Sequence, residues 1–454
     1  MAKKKLFLVL ILGFFAALFL HNAWFYPYNS GYDAGIHQIY TRIITFEKRI
    51  PTPLDTPESY NPPLFYFLSG KLAQLFTPLF AGNFFDALKL WQILIALLMP
   101  VIGFLWYDIF LSLNRKKPDL SLFFLFWLLS LPVIMKLAPM YNIETPSLII
   151  GSFIVWYFIK FVLPKPSLIK ILWLGIFAGI IFSLRIMSGS LLLSLGLGIF
   201  LIYWFKKISF KQMLIYNLLF TVVTLAIGGQ YYYFFKDQGV FDSGENVAEL
   251  YRVPFFQRQP RSFYLDTFLR TMMRNPIRES FPNRFIPIFY STFWGDYWNY
   301  YRQRRYPLSA EEQIKFKDST NKVKISAERL KVLAWQNRIN LIPTLILIIG
   351  LFAAIKKLIL SIWQRRATYQ QISENFLTLF FIWAFLFFFY TNIQFPNVYK
   401  GDTIKASYVL YAIPVLIYFA VKWLGSTKKI KWLFYPLVAM VAVSILFNLN
   451  FDYF

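Results

Sequence analysis

Apolar residues along this chain recur in runs of about 20, the length that crosses a bilayer as a helix, and short clusters of Lys and Arg separate the runs. The first, KKKLFLVLILGFFAALFLHNAWF, has a basic start and no small-residue cleavage site after it, so it reads as a retained membrane helix. Further spans are expected near residues 86–113, 119–136, 143–163, 168–185, 189–205, 212–233, 339–360, 375–392, 406–422 and 431–449, giving about eleven in all. The expected fold class is an all-α, polytopic integral membrane protein.

The cations fix a self-consistent register. With a cytoplasmic amino terminus, the inner loops are Lys3 to Lys5, NRKKP at 114–118, Lys160 to Lys170, KKISFK at 206–211, Lys356 to Arg366, and Lys422 to Lys431. Each carries three or more cations, whereas the short outer loops carry very few, as the positive-inside rule requires. Two large outer segments remain, at about 26–85 and about 234–338. The implied organisation is a membrane module over 1–233 that includes the first outer loop, an outer loop over 234–338, and membrane helices over 339–454. In the first outer segment, DAGIHQIYTRIITFEK has helical apolar spacing and suits a surface helix, and a second helix is expected to begin at Pro62–Pro63. No repeat of fixed period and no long low-complexity tract interrupts this pattern.

Composition agrees: 57% of residues are hydrophobic and only 15% charged, which excludes an ordinary soluble protein. The formal charge of +25 is mostly topology, because about twenty cations lie in the inner loops, so nucleic acid is not an expected partner. The absence of cysteine removes disulfides, thiolate metal sites and Cys nucleophiles.

An acid near a membrane span is costly unless it is paired, faces water or works, so the outer acids make a short candidate list. Asp33, in GYDAGIH after the first span, and Glu144, in APMYNIETP between the third and fourth, fall at one depth. His37 lies four residues beyond Asp33, on the same helical face. Each has a plainer reading: Asp33 as a helix cap, Glu144 as a helix-start residue, His37 as an interfacial side chain bonded to a neighbour.

Several motifs together carry a resemblance: the acid after the first helix, the Pro-rich stretch ending in YNPPLFYFLSG, the acid in the third-to-fourth turn, FAGIIFSLR at the fifth helix, and KASYVLYAIP late in the chain. The chain resembles the GT-C superfamily, and more narrowly the family 39-type membrane glycosyltransferases, which include protein O-mannosyltransferases and lipid A aminoarabinose transferases. The resemblance implies a polyprenyl-phosphate-linked monosaccharide as donor, a lipid, glycan or protein as acceptor, and a site on the outer face of a plasma or bacterial inner membrane. The late motif of many relatives is closer to an Arg-Tyr pair, whereas this chain has Lys405-Ala406-Ser407-Tyr408.

That chemistry needs a carboxylate to take the acceptor proton and fixed positive charge for the departing phosphate. Asp33 is the expected base, with Glu144 as the second catalytic acid. Lys405 and Arg185 are the first choices for the phosphate, followed by Lys400 and Arg258, with Arg252 and Arg261 in the same outer loop. Asn142 and Tyr60 join His37 as acceptor-site candidates. Asp33, His37 and Glu144 form a possible oxygen and imidazole set for Mn, Mg or Zn. Lys405 also reads as a snorkelling side chain, and Tyr60 as a loop-shaping residue. Two other functions stay open: an envelope polysaccharide polymerase or ligase leaning on the outer-loop arginines, and a lipid or solute transporter. Few ionisable residues fall within spans and no broken helices recur in two matching halves, which counts against transport.

Overall fold

The computed structural model describes residues 2–114, 117–235, 253–298, 327–396, 401, 403–426 and 434–448. Among these the chain is helical, with no strand. The principal helices are α1 (Ala2–Phe25), α2 (Ala34–Arg42), α3 (Leu64–Phe76), α4 (Lys89–Leu113), α5 (Pro118–Leu129), α6 (Glu144–Tyr157), α7 (Leu168–Phe182), α8 (Gly189–Trp204), α9 (Phe210–Gly228), α10 (Phe285–Trp294), α11 (Ala327–Ile339), α12 (Leu341–Gln364), α13 (Tyr369–Gln394), α14 (Ile413–Ser426) and α15 (Phe434–Asn448).

Eight stretches among the described residues are long and apolar enough to cross a membrane. Each of the eleven expected spans falls on helix among the described residues, but the helices Pro118–Leu129 and Leu168–Phe182 are shorter than the expected runs. The expected span at 119–136 breaks because Leu131, which precedes Pro132, is extended, and a separate short helix, Pro132–Leu137, follows. The span expected at 168–185 stops at Phe182, and Arg185 takes an extended backbone between α7 and a 3-10 turn at Ile186–Ser188.

Small residues set the closest helix contacts, as expected where lipid removes the hydrophobic drive for association. Gly175 and Gly179 of α7 face α9, where a β-carbon on Gly179 would approach Ile227 to 2.6 Å. At Gly350 in α12 a β-carbon would lie 2.7 Å from the Ala420 backbone nitrogen in α14, so these backbones meet where only glycine fits. One large core cluster, including Trp106, Trp127 and Tyr418, runs through the bundle.

The two surface helices form as expected. A smaller cluster of Tyr40, Phe65, Tyr66, Tyr141 and Leu184 joins them to the turn before α6. Tyr40 stacks on Tyr66 at 3.6 Å, and the Tyr141 hydroxyl lies 2.6 Å from Thr41 Oγ1 and 2.7 Å from Ser69 Oγ. The basic loops gather at the other end of the bundle, where Lys4 pairs with Asp119, Lys160 with Asp108, and Lys117 donates to the Gly425 carbonyl. Asp108 is held by Lys160 at 2.9 Å and by the Trp156 indole at 2.8 Å.

Candidate active site

The turn that follows α1 fixes Asp33. Its backbone is left-handed (φ 57°), a conformation that Asp tolerates better than most residues, and its carbonyl accepts the His37 amide at 2.9 Å. Asp33 holds the N-cap position of α2, yet its side chain makes no capping bond. It instead accepts from the Lys405 ammonium across 372 positions of sequence. A non-glycine residue kept in this conformation, with its side chain turned away from the cap, is the kind of local cost found at functional sites.

A second ion pair lies beside the first. Glu144 opens α6, where the helix dipole favours an acid, and its Oε1 is 3.1 Å from Arg185 Nη2. Both side chains are only 5% exposed. The ring of Tyr408 joins the pairs, with the Arg185 guanidinium 4.6 Å and the Lys405 ammonium 5.8 Å from its centroid, and Tyr32 flanks Lys405 at 5.5 Å. Buried charges of this kind normally satisfy every polar atom. Here Glu144 Oε2, Arg185 Nη1 and Ser407 Oγ are buried without a hydrogen-bond partner.

Burial pushes the Asp33 carboxyl up, but the charge and hydrogen bond of Lys405 outweigh it and hold the group below its ordinary value. The same pair holds Lys405 charged: burial works against the ammonium, and Asp33 raises it well above the usual lysine value.

Glu58 was not among the sequence candidates. It is buried in the 3-10 turn Pro57–Tyr60, where Asn61 donates to its carboxylate. Burial raises its pKa, with Asp33 and Glu144 close enough to add to the rise and His37 and Lys405 to oppose it. The signal was available in PESYNPP, an acid within a Pro-rich outer segment, but its depth was not. Lys136 was missed as well; it is 1% exposed and donates to the Thr292 carbonyl at 3.0 Å, while Thr292 Oγ1 accepts the Ala406 amide at 3.1 Å.

The other candidates separate. His37 Nδ1 is 2.9 Å from the Tyr66 hydroxyl, the neighbour-bonded reading. Both polar atoms of Asn142 are engaged inside its own turn: Nδ2 donates to the Leu137 and Met140 carbonyls, and Oδ1 accepts from Thr145. It shapes the entry to α6. Tyr60 is 37% exposed, in the same turn as Glu58. Arg258 donates to the Gln394 side chain and to the Val253 carbonyl, tying the outer loop to the end of α13. Lys400 and Arg252 lie outside the described residues. Among the described residues no three His, Asp or Glu side chains group as a metal site, so the expected set of Asp33, His37 and Glu144 does not assemble. The physical reason is that two of the three carry a lysine or arginine as counter-ion, and a divalent cation would be repelled by both.

Fold and site together define a multi-pass helical membrane protein with a buried double acid–base centre at one end of its bundle. No family model and no curated protein matches the chain. Among solved structures, the crystal structure of ArnT from Cupriavidus metallidurans bound to undecaprenyl phosphate matches 89% of this chain and 77% of that one, at 13% identity and a TM-score of 0.39. So loose a superposition carries no weight for activity or ligand, and the functional reading rests on this chain's own residues.

Proposed function

We propose that the chain is a GT-C-type membrane glycosyltransferase that moves a monosaccharide, with inversion, from a polyprenyl-phosphate carrier to a lipid, glycan or protein acceptor. The observation that carries this reading is the pair of ion pairs meeting at Tyr408, with a buried guanidinium N–H and a buried carboxylate oxygen left over. The motif resemblance supports it.

In this scheme the acceptor O–H or N–H attacks the anomeric carbon while the bond from that carbon to the phosphate oxygen breaks. The bonding electrons leave with the phosphate, and the acceptor proton passes to the Asp33 carboxylate. A single displacement inverts the anomeric centre. Lys405 and Arg185 meet the charge that develops on the phosphate, Lys405 as a point charge and Arg185 through its unpartnered Nη1. A donor phosphate that engages Lys405 competes with Asp33 for the ammonium, and so frees the base as the substrate arrives. In the membrane, the Lys- and Arg-rich end faces the cytoplasm and the acid–base centre faces outward, in a plasma or bacterial inner membrane.

The test is release of polyprenyl phosphate from a labelled sugar donor by purified protein in detergent. Asp33→Asn is expected to remove that release while the protein stays folded, and wild-type release by this variant would refute the base assignment. A polymerase leaning on the outer-loop arginines would instead lose activity in Arg258→Ala and keep it in Asp33→Asn.

A further inference from the structure

At the end of the bundle opposite the acid–base centre, a cavity of about 440 Å³ lies where α4 ends, α5 and α13 begin, and α14 ends. Lys117, Lys422, Asn114 and Gln370 line its polar side, and Phe110, Leu113 and Leu120 its apolar side. The transfer chemistry above does not use it. Its volume falls in the range of small-ligand sites.

Among the described residues beside it, cations outnumber acids. Glu374 is paired with Lys422, and its Oε1 also accepts from Gln370 Nε2 at 3.0 Å and from the Tyr418 hydroxyl at 3.2 Å, while Asp119, two positions after Lys117, is taken by Lys4. Against Glu374 stand Lys422, Lys117 and Lys357, close enough that both of the others act electrostatically on Lys422. Lys357 lines the adjoining cavity with Glu374 and Lys422. Lys117 gives one N–H to the Gly425 carbonyl and Lys422 gives one to Glu374, and an ammonium carries three donors. Lys117, an exposed residue just before α5, and Lys422, in α14, therefore border one cavity with donors to spare, beside a carboxylate already crowded with donors. Like charges gathered at the edge of a low-dielectric bundle repel unless an anion joins them.

We propose that this cavity binds a phosphate group, clasped between Lys117 and Lys422, with the carbon skeleton of its ester against Phe110, Leu113 and Leu120. Phosphate accepts several N–H bonds at once and suits lysine as a point-charge partner. The group has two sources, the headgroup of an anionic phospholipid in the leaflet beside the basic loops, or a soluble phosphate ester. The proposal stands apart from the transfer activity.

The experiment follows the thermal unfolding midpoint of the full chain in neutral detergent, titrated separately with phosphatidylglycerol, phosphatidylcholine and glycerol 3-phosphate. The midpoint is expected to rise with phosphatidylglycerol and not with phosphatidylcholine; a rise with glycerol 3-phosphate as well assigns a soluble ester, and no such rise assigns the lipid. Lys117→Gln is expected to raise the concentration needed by about fivefold, the weight of one lysine toward an anionic headgroup. Lys211→Gln removes the same charge from an exposed residue in the first turn of α9, in another basic cluster, and is expected to leave the titration unchanged. Should Lys117→Gln fail to fold, Ser112→Phe, which fills the cavity without altering charge, is expected to abolish the rise. The proposal is overturned if neither anion raises the midpoint, if Lys117→Gln and Lys211→Gln weaken the response equally, or if Ser112→Phe leaves it intact.

Discussion

The Glu144–Arg185 pair offers the sharpest perturbation, because both side chains are 5% exposed and one contact of 3.1 Å joins them. At an effective dielectric of about 20, unit charges at that separation attract by about 5 kcal/mol. Most of this is offset by the loss of hydration of both ions, so the pair adds little net stability against an apolar replacement. Removing one partner is a different matter, since it leaves a buried charge unmatched. Glu144→Gln and Arg185→Met are each expected to cost about 3–5 kcal/mol. The double variant should cost clearly less than their sum, measured by denaturant or thermal unfolding in detergent. Arg185→Lys probes function separately. It keeps the charge beside Glu144 but removes the planar fork whose Nη1 is unpartnered. Loss of one charged hydrogen bond to the donor phosphate corresponds to about 10- to 100-fold in affinity. Strictly additive single variants would refute the pairing, and wild-type donor affinity in Arg185→Lys would refute the phosphate role of that nitrogen.

Lys405→Gln removes the partner that holds the Asp33 carboxyl low, so burial then dominates and the group rises; the acid limb of the transfer rate should move to higher pH, and an unmoved limb would dissociate Asp33 from the base role. Glu58 has a raised folded-state pKa, so its contribution to stability is fully present below the unfolded carboxyl value and is lost as pH climbs through the folded one. Glu58→Gln should therefore flatten the pH dependence of unfolding, with the gain over wild type growing as pH rises. Gly350→Leu forces a side chain into the Ala420 backbone and should lower stability by about 1–3 kcal/mol or more without altering residual donor affinity.

Hydrophobic run length and cation placement were enough to find the helices, because a membrane span must satisfy its backbone internally and a basic loop is read at insertion. They were also enough to bring Asp33 and Glu144 to one end of the chain's topology. Run length could not show that proline would divide the segment after α5, or that Arg185 would leave the helix to meet Glu144, since those breaks depend on local backbone geometry. The pairings themselves were beyond the sequence. Asp33 and Lys405 lie 372 positions apart, and each alone reads equally well as a cap and a snorkelling side chain. Spacing put Asp33 and His37 on one helix face, but packing gave His37 to Tyr66 and Asp33 to a lysine. Glu58 looked like an ordinary loop acid until the fold buried it within electrostatic reach of both ion pairs. The sequence by itself determined which segments are long and apolar enough to span a membrane and where the basic clusters fall between them, because those follow from residue composition over a local window. Only the tertiary structure decided which charge faces which, because a buried ion chooses its partner by distance in three dimensions.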